Sequence, residues 1–316
     1  MRLVKLGFAE LSVTDLEEAR HFYGELLGFV ETGRSPDRLY LRGVMDRGHH
    51  CLVLRKGSGP ALNRIGWRVD SDAALDDIAR ICKSRGLVVR SVAPSSEAGI
   101  GRTVHVQDVS GHPLTFYRDM AAAEWLGRKS HLWRGAAVQR LDHIALSAND
   151  VDAAVAQYRE WGCATSEFVE ADDGKSLFAA FMHCTSHSHD IALVRHGVQP
   201  SLGHLSFWVG DHYQVIRATD ILADAGHSKS IEFGPGRHLT TNSFFVYVRD
   251  PFGNRLELFC DGEWVPDMDA EPVKWTFADF VRAGRLSWGG KAPDAFFEQI
   301  PVGHIFPEDA RSSDLP

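Results

Sequence analysis

The feature that most constrains the fold of this chain is that its sequence repeats. Residues 6–29, LGFAELSVTDLEEARHFYGELLGF, share a pattern with residues 141–163, LDHIALSANDVDAAVAQYREWGC. Each segment has a strand-like run, a turn, an amphipathic helical pattern with one tyrosine, and a glycine that ends the helix. Sequence similarity at a fixed offset is typical of a chain built from repeated structural units.

Two further pairs of segments extend the repeat. Residues 65–86 match residues 202–226 as strand, helix and terminating glycine. The run QDVSGHPLTFY at 107–117 matches RDPFGNRLELF at 249–259, and both read as a turn that joins two strands. The chain is therefore predicted to contain four strand–helix–strands units, paired into two halves.

The repeats set the expected domain boundaries. Residues 1–120 form one half and 138–262 the other, and 121–137 connects them with a helical pass through Ala121–Leu126. Residues 263–316 lie outside the repeat and are rich in Trp, Pro and charge. This tail is expected to be a lid over a pocket or an interface with another chain.

Composition limits the class of function. The 316 residues include 34 Lys and Arg against 42 Asp and Glu, a net charge of −8, which disfavours nucleic-acid binding and suits a protein that acts on a small molecule. No apolar run approaches the roughly 20 residues that cross a bilayer, and the N-terminus does not resemble a signal peptide. The five cysteines form no CxxC pair, so we expect free thiols in the cytoplasm. The strand-rich halves and Trp-rich tail favour a homo-oligomer, a dimer or tetramer.

Three residues at like positions in the repeats are candidate metal ligands. His143, His204 and Glu257 each lie in a strand-like run, and the sequence alignment places them opposite Phe8, Trp67 and Thr115 of the first half. A lone histidine in a strand is usually a packed or surface residue. Two imidazoles with one carboxylate, however, are the ligand set of an open non-heme ferrous site, and an unpaired glutamate within Leu-Glu-Leu-Phe would be costly to bury. We therefore predict one half with a metal and one without.

The segment GRHLTTNSFFVYVRDPFGNRLE, residues 236–257, resembles the signature of the type I extradiol ring-cleavage dioxygenases of the vicinal oxygen chelate superfamily. It has glycine-x-histidine, then Val246, Tyr247, Asp250-Pro251, Gly253 and Glu257. The chain looks most like the homoprotocatechuate 2,3-dioxygenases and catechol 2,3-dioxygenases. The resemblance covers roughly residues 1–290 and is strongest from 141 to 260.

The resemblance implies an α+β fold of four βαβββ modules in two tandem domains, each an open mixed β-barrel around a cavity, followed by the C-terminal tail. It implies cleavage of a catechol by dioxygen beside the two hydroxyls, at Fe(II), with Mn(II) as the alternative ion, held by His143, His204 and Glu257. By the same resemblance His189, in the run MHCTSHSHDIAL, is the acid–base catalyst, and His183 and His187 compete for that role. His238 and Tyr247 are the further catalytic residues, which bind the substrate oxygens.

Four residues are the candidate substrate-binding set. Phe181 and Phe233 are candidates for an apolar wall. Where the resembling enzymes have an arginine and an asparagine, this chain has Phe233 and Ala145, and Arg285 is the candidate for a second arginine, although its spacing from Trp275 differs. Because these departures remove polar contacts, a neutral substituted catechol is expected. The rival classes are a glyoxalase-type isomerase or transferase and a metal-free binding protein of the same fold.

Overall fold

The computed structural model describes residues 2–94, 97–197, 199–282 and 285–305. Four strand–helix–strands modules follow one another along the chain. The first two contain β1 (Leu3–Val13), α1 (Leu16–Ala19), β2 (Val30–Ser35), β3 (Arg38–Arg42), β4 (Leu52–Lys56), β5 (Leu62–Val69), α2 (Asp72–Ser84), β6 (Val89–Val92), β7 (Thr103–Gln107) and β8 (Pro113–Tyr117).

The third and fourth modules repeat this order. They contain β9 (Arg140–Ser147), α3 (Val151–Glu160), β10 (Ala164–Glu170), β11 (Leu177–His183), β12 (Ile191–Val194), β13 (Ser201–Trp208), α4 (His212–Asp224), β14 (Ile231–His238), β15 (Phe244–Arg249) and β16 (Arg255–Cys260). The tail adds β17 (Val273–Thr276), α5 (Phe277–Arg282), β18 (Leu286–Gly289), a 3-10 turn (Asp294–Phe297) and β19 (Ile300–Pro301).

Each half forms one mixed sheet. The order is β2-β3-β4-β1-β5-β8-β7-β6 in the first half and β10-β11-β12-β9-β13-β16-β15-β14 in the second, which β17 and β18 extend at its two ends while β19 pairs with β13. Within the described chain, the end strands of each sheet are not paired with one another, so the sheets are open. The predicted fold, two tandem domains of two βαβββ modules each, is confirmed.

The first helix departs from the α-helix that its sequence pattern predicts. Asp15 caps its start by accepting from the backbone N–H groups of Glu17 and Glu18, but Arg20–Leu26 is π-helical, with a bond from Leu27 N to Phe22 O. The segment ends at Gly28, whose φ of 82° favours glycine. A Cβ there would also collide with the backbone carbonyl of Arg134, so the helix end packs directly against the connection between the halves.

The two halves share one apolar core, which includes residues from both sheets and from helices of both halves. The Tyr23 hydroxyl donates to Asp250 Oδ2 at 2.8 Å, and Asn254 Nδ2 donates to the Ser12 carbonyl at 3.0 Å. The Asp250–Asn254 turn of the fourth module thus contacts the first module. These buried bonds fix the second sheet against the first.

The connection between the halves corrects one expectation. Ala121–Leu126 is irregular rather than helical. Within 121–137, all of which the structure describes, the only helical segment is the 3-10 turn at Ser130–Leu132. Backbone bonds from Ala123 to Arg47 and from Ala121 to Gly99 hold this stretch against the first half instead. No helix in the described part of the chain is long and apolar enough to cross a membrane.

Candidate metal and substrate site

Three side chains from neighbouring strands meet at one point inside the second sheet. His143 lies on β9, His204 on β13 and Glu257 on β16, and these strands are adjacent. His143 Nε2 lies 2.9 Å from Glu257 Oε2, and His204 Nε2 lies 3.4 Å from both of these atoms. The predicted convergence of the three residues is thus seen in the structure.

This triangle fits a divalent transition-metal ion. Bonds of about 2.1 Å set at right angles place neighbouring ligand atoms about 3 Å apart, which is close to the three separations here. The donors are two imidazole nitrogens and one carboxylate oxygen, the set that suits iron or manganese and leaves coordination positions free. His143, His204 and Glu257 could therefore hold such an ion with little rearrangement.

Two residues that the sequence analysis missed orient this triangle. Asp142 Oδ1 lies 3.1 Å from His143 Nδ1, which turns Nε2 toward the other ligands. The Ser206 hydroxyl donates to Glu257 Oε2 at 2.7 Å. Asp142 directly precedes His143 in the sequence, so sequence adjacency could have identified it. Ser206 could be identified only from the strand pairing, which places it beside His143 and Glu257.

The charges of the triangle are strongly coupled. Burial opposes the charge on His143, but hydrogen bonds to Asp142 and Glu257 outweigh burial and raise its pKa to about 9. Burial likewise opposes the Glu257 carboxylate, yet hydrogen bonds from His143, His204 and His238 hold its pKa well below the usual range. A metal cation bound in place of the proton on the imidazoles would likewise compensate the negative charge of the buried Glu257 carboxylate.

His238 and Tyr247 lie beside the triangle. His238 Nε2 is 2.9 Å from Glu257 Oε1, and the Tyr247 hydroxyl is 3.2 Å from the same nitrogen. The ring of Tyr247 also packs edge-on against His204 at 5.0 Å. Burial, followed by the charge of Glu257, raises the pKa of Tyr247, so this residue is a neutral hydrogen-bond donor.

His189 approaches the triangle from its other side. Its ring lies 3.9 Å from that of His143 and 5.3 Å from Phe181. The Ser188 hydroxyl lies 2.9 Å from His189 Nδ1, which leaves Nε2 for the cavity. Burial and the nearby His143 lower the pKa of His189 well below its usual value, so the imidazole is neutral.

One cavity of about 740 Å³ brings all ten predicted site residues together. Its lining is mostly apolar, and the tail contributes to it through α5 and the residues that follow. The predicted residues in its wall are His143, Ala145, Phe181, His189, His204, Phe233, His238, Tyr247, Glu257 and Arg285. His183 and His187 are not among the lining residues: His183 contacts the Thr185 carbonyl and His187 contacts Asp142.

The first half holds a different cluster at the equivalent place. In the second half His143 pairs with Ser206, and in the first half Phe8 pairs with Gly66. Two residues before Ser206 lies His204, and two residues before Gly66 lies Arg64, so these two residues occupy equivalent positions. The predicted alignment of His204 with Trp67 was therefore wrong. The sequence comparison paired the two segments at their first strand residues. Pairing them at the glycines that end the helices, Gly86 and Gly226, aligns Arg64 with His204 without a gap. Arg64 is ion-paired with Glu10 at 2.6 Å and also with Glu97. A guanidinium in place of an imidazole removes the ligand there.

Comparison with known proteins agrees with this architecture. Residues 5–116 and 140–258 match the model of the Glyoxalase/Bleomycin resistance protein/Dioxygenase superfamily. The chain is 30% identical over 292 residues to a manganese-dependent 2,3-dihydroxybiphenyl 1,2-dioxygenase of Geobacillus genomosp. 3, covering 86% of this chain and 90% of that protein. It is 29% identical over 293 residues to a metapyrocatechase of a Pseudomonas species, covering 89% and 93%.

A solved structure extends the likeness to three dimensions. Homoprotocatechuate 2,3-dioxygenase from Arthrobacter globiformis superposes with a TM-score of 0.91 and 30% identity, over 98% of this chain and 94% of that one. The family model, the relatives along nearly their whole length and the buried His-His-Glu triangle agree with one another. The chain therefore belongs to the glyoxalase/bleomycin resistance protein/dioxygenase superfamily and, within it, to the type I extradiol ring-cleavage dioxygenases.

Proposed function

We propose that this protein is an oxidoreductase that opens a catechol-type ring with dioxygen, beside the two hydroxyls, and releases a ring-opened semialdehyde during aromatic degradation. The observation that carries this proposal is the triangle of His143, His204 and Glu257 at the wall of a large apolar cavity. The relatives named above support it, since two of them are dioxygenases by name and one of these is named for a dihydroxylated ring, 2,3-dihydroxybiphenyl.

We propose Fe(II), or alternatively Mn(II), as the ion held by His143, His204 and Glu257. When bound, such an ion supplies a template for both substrate oxygens and dioxygen and a path for electron density between them. The three ligands occupy one side of the site and leave the cavity side open. Asp142 and Ser206 hold the ligands in place.

His189 is proposed to move the proton. Its Nδ1 is engaged by Ser188, so Nε2 faces the cavity and can accept a proton from a catechol hydroxyl. The neutral imidazole is suited to accept this proton and to return it later to an oxygen of the opening ring.

His238 and Tyr247 are proposed to bind the oxygens of the reacting molecule. Both groups are fixed before substrate arrives, because His238 contacts Glu257 and Tyr247 contacts His238. Donors that are already oriented stabilise developing negative charge without reorganisation.

The remaining wall is proposed to bind the ring and its substituent. Phe181 lies beside His189, and Phe233 lies parallel to Tyr247 with ring centres 6.0 Å apart. Ala145 supplies a small apolar surface. The Arg285 guanidinium packs on Phe280 and Phe297, at 5.5 and 5.2 Å, and is available to a hydroxyl substituent. We propose a neutral alkyl-, chloro- or hydroxy-substituted catechol.

The division of the chain is part of this proposal. Residues 1–120 serve as a metal-free domain, 121–137 as the linker, 138–262 as the catalytic domain and 263–316 as a lid or interface, of which 306–316 lie outside the described residues. We also propose a homo-oligomer, since Trp264 and Trp288 of the tail are more than half exposed. We also propose a location in the reducing cytoplasm, which the five free and buried cysteines support.

The decisive experiment is anaerobic reconstitution with Fe(II) or Mn(II), followed by oxygen uptake with a panel of catechols. We expect about one ion per chain, oxygen consumption that matches the catechol added, and a yellow ring-opened product. The variant His143→Ala should lose both the ion and the oxygen uptake.

Two outcomes would contradict the proposed dioxygenase function and favour one of the rival functions. Tight catechol binding with no bound ion in the anaerobically purified protein would indicate a binding protein. Conversion of a thiol adduct without oxygen uptake would indicate a glyoxalase-type isomerase or transferase.

A further inference from the structure

A phenylalanine of the tail completes the cavity wall beside the catalytic tyrosine. Phe296, in the 3-10 turn Asp294–Phe297, packs against Phe233 with ring centres 5.1 Å apart and against Tyr247 at 4.7 Å. Its ring is steeply inclined to both, at 63° and 64°, while those two rings are nearly parallel. Phe296 therefore forms one part of the cavity wall together with these two rings.

This wall lies close to the proposed chemistry. Tyr247 contacts Phe296 with its ring, His204 with the same ring and His238 with its hydroxyl. Phe296 is thus separated from a metal ligand by one aromatic ring. A substituent on the bound catechol that points toward Tyr247 would meet Phe296.

Two arginines hold the turn that carries Phe296. The Ala295 carbonyl accepts from Arg255 Nη2 at 3.1 Å and from Arg249 Nη2 at 3.3 Å. The Arg255 guanidinium also lies 4.6 Å from the centre of the Phe296 ring. Arg255 is 1% exposed, and its Nη1 also donates to the Gly203 carbonyl at 3.0 Å.

A carboxylate fixes the arginines themselves. Glu232 accepts from Arg255 Nε at 2.6 Å and from Arg249 Nε at 2.9 Å. A buried ion pair adds little net stability, because desolvation offsets attraction, but it holds its members in one geometry when every donor is used. On the far side, β19 pairs with β13 and closes the loop, so the turn is held at both ends.

We infer that Phe296 is a specificity-determining residue that limits the size of the ring substituent on the Tyr247 side, and that Arg255 is its positioning residue. The inference rests on the proposed function, since it takes the ligand to be a catechol. Because the tail lies outside the repeats that carry the metal ligands, a substitution in the tail can change which substrates are accepted without altering the metal site.

The test compares Phe296→Ala with the native protein on catechols that carry hydrogen, methyl, tert-butyl or phenyl at ring positions 3 and 4. We expect kcat/KM for the bulkiest substrates to rise about tenfold relative to methylcatechol. Anaerobic calorimetric titration should show the same change in relative affinity, measured as the ratio of the dissociation constant of the bulky catechol to that of methylcatechol. Phe277→Ala is the matched control, because Phe277 is a partly buried tail phenylalanine that packs on Phe178 and does not line the cavity.

The positioning role of Arg255 is tested with Arg255→Met. This variant should also raise kcat/KM for bulky catechols relative to methylcatechol, by a smaller factor than Phe296→Ala, while its metal content stays at the native value. If that variant does not fold, Arg249→Met removes the other donor to the Ala295 carbonyl without touching the Phe296 ring, and a weaker shift is expected. A general loss of stability would lower turnover of all substrates and leave the ratio unchanged.

The outcomes separate the two proposals. If the native protein takes up oxygen with catechols but Phe296→Ala leaves both ratios at the native values, or Phe277→Ala shifts them equally, the inference about Phe296 is wrong. If the native protein takes up no oxygen with any catechol, the proposed function is wrong, and the binding ratios alone then decide whether Phe296 limits ligand size.

Discussion

Glu257 shows how one side chain organises the site. Its carboxylate is 1% exposed and lies within 3.4 Å of three imidazole nitrogens and one hydroxyl. A buried carboxylate without partners is strongly disfavoured, so every neighbour that compensates it also fixes its direction. The geometry of the metal site therefore depends on residues that are not ligands.

Removing the hydroxyl of Ser206 tests this dependence. Ser206→Ala deletes the hydroxyl donor to Glu257 Oε2 and leaves that oxygen with the imidazoles of His143 and His204 as its partners. We expect metal affinity to fall about 10- to 100-fold, measured by competition with a chelator. Ser12→Ala is the matched control, because Ser12 is a buried serine of the first half whose hydroxyl accepts from Asn63 Nδ2 at 2.9 Å, away from the triangle. Equal affinities in both variants would contradict the role of Ser206.

Phe233 is the residue at which the charge preference of the pocket can be tested. Phe233→Arg places a cation where the native chain has an apolar ring in the cavity wall. We expect turnover of a carboxylated catechol to improve relative to methylcatechol, because the guanidinium would pair with the carboxylate. The ratio of the two kcat/KM values measures the effect, and an unchanged ratio would remove Phe233 from the specificity argument.

At the scale of elements, strand periodicity brings the site together. Side chains alternate across a strand, so one ligand on each of three adjacent strands can reach the same face. The register then selects which residues meet: Ser206 is paired with both His143 and Glu257. A shift by one residue would turn a ligand to the opposite face of the sheet.

Gly28 tests the packing of the first helix against the connection between the halves. Gly28→Ala adds a methyl group that meets backbone atoms of Arg134 and Ala137, which cannot move aside. Gly86→Ala is the control, since Gly86 also has a positive φ, 74°, but open space around a Cβ. We expect the Gly28 variant to lose about 1–3 kcal/mol more of the free energy of unfolding than the control, measured by urea denaturation. Equal losses would mean that backbone strain alone requires glycine at residue 28.

At the scale of the whole molecule, the metal site lies within the sheet of the second half, which shares its core with the first. An ion that binds only the folded state stabilises it by about 4 kcal/mol at a free concentration 1,000-fold above the dissociation constant. We therefore expect removal of the ion with a chelator to lower the thermal midpoint, and reconstitution to restore it. The variant His143→Ala should show no such response, and a midpoint indifferent to metal in the native protein would argue against a bound ion.

Assembly is the second property at this scale. The expected dimer or tetramer can be measured by size-exclusion chromatography with light scattering at several protein concentrations. The exposed tryptophans of the tail, Trp264 and Trp288, are the first candidates for an interface. A single species with the mass of one chain at all concentrations would contradict the expectation.

The four-module architecture follows from the sequence alone, because alternation, helical periodicity and turn glycines are local properties that recur in both halves. The sequence also identified the three candidate ligands, since rare polar residues in apolar strands are visible without coordinates. Contacts between residues on different strands depend instead on strand order and register in the folded chain. The strand registers show that Arg64 rather than Trp67 corresponds to His204, and that Ser206 reaches Glu257. The same holds for Phe296, which is about 50 residues from Tyr247 in the chain and joins its wall only because the tail folds back onto the sheet.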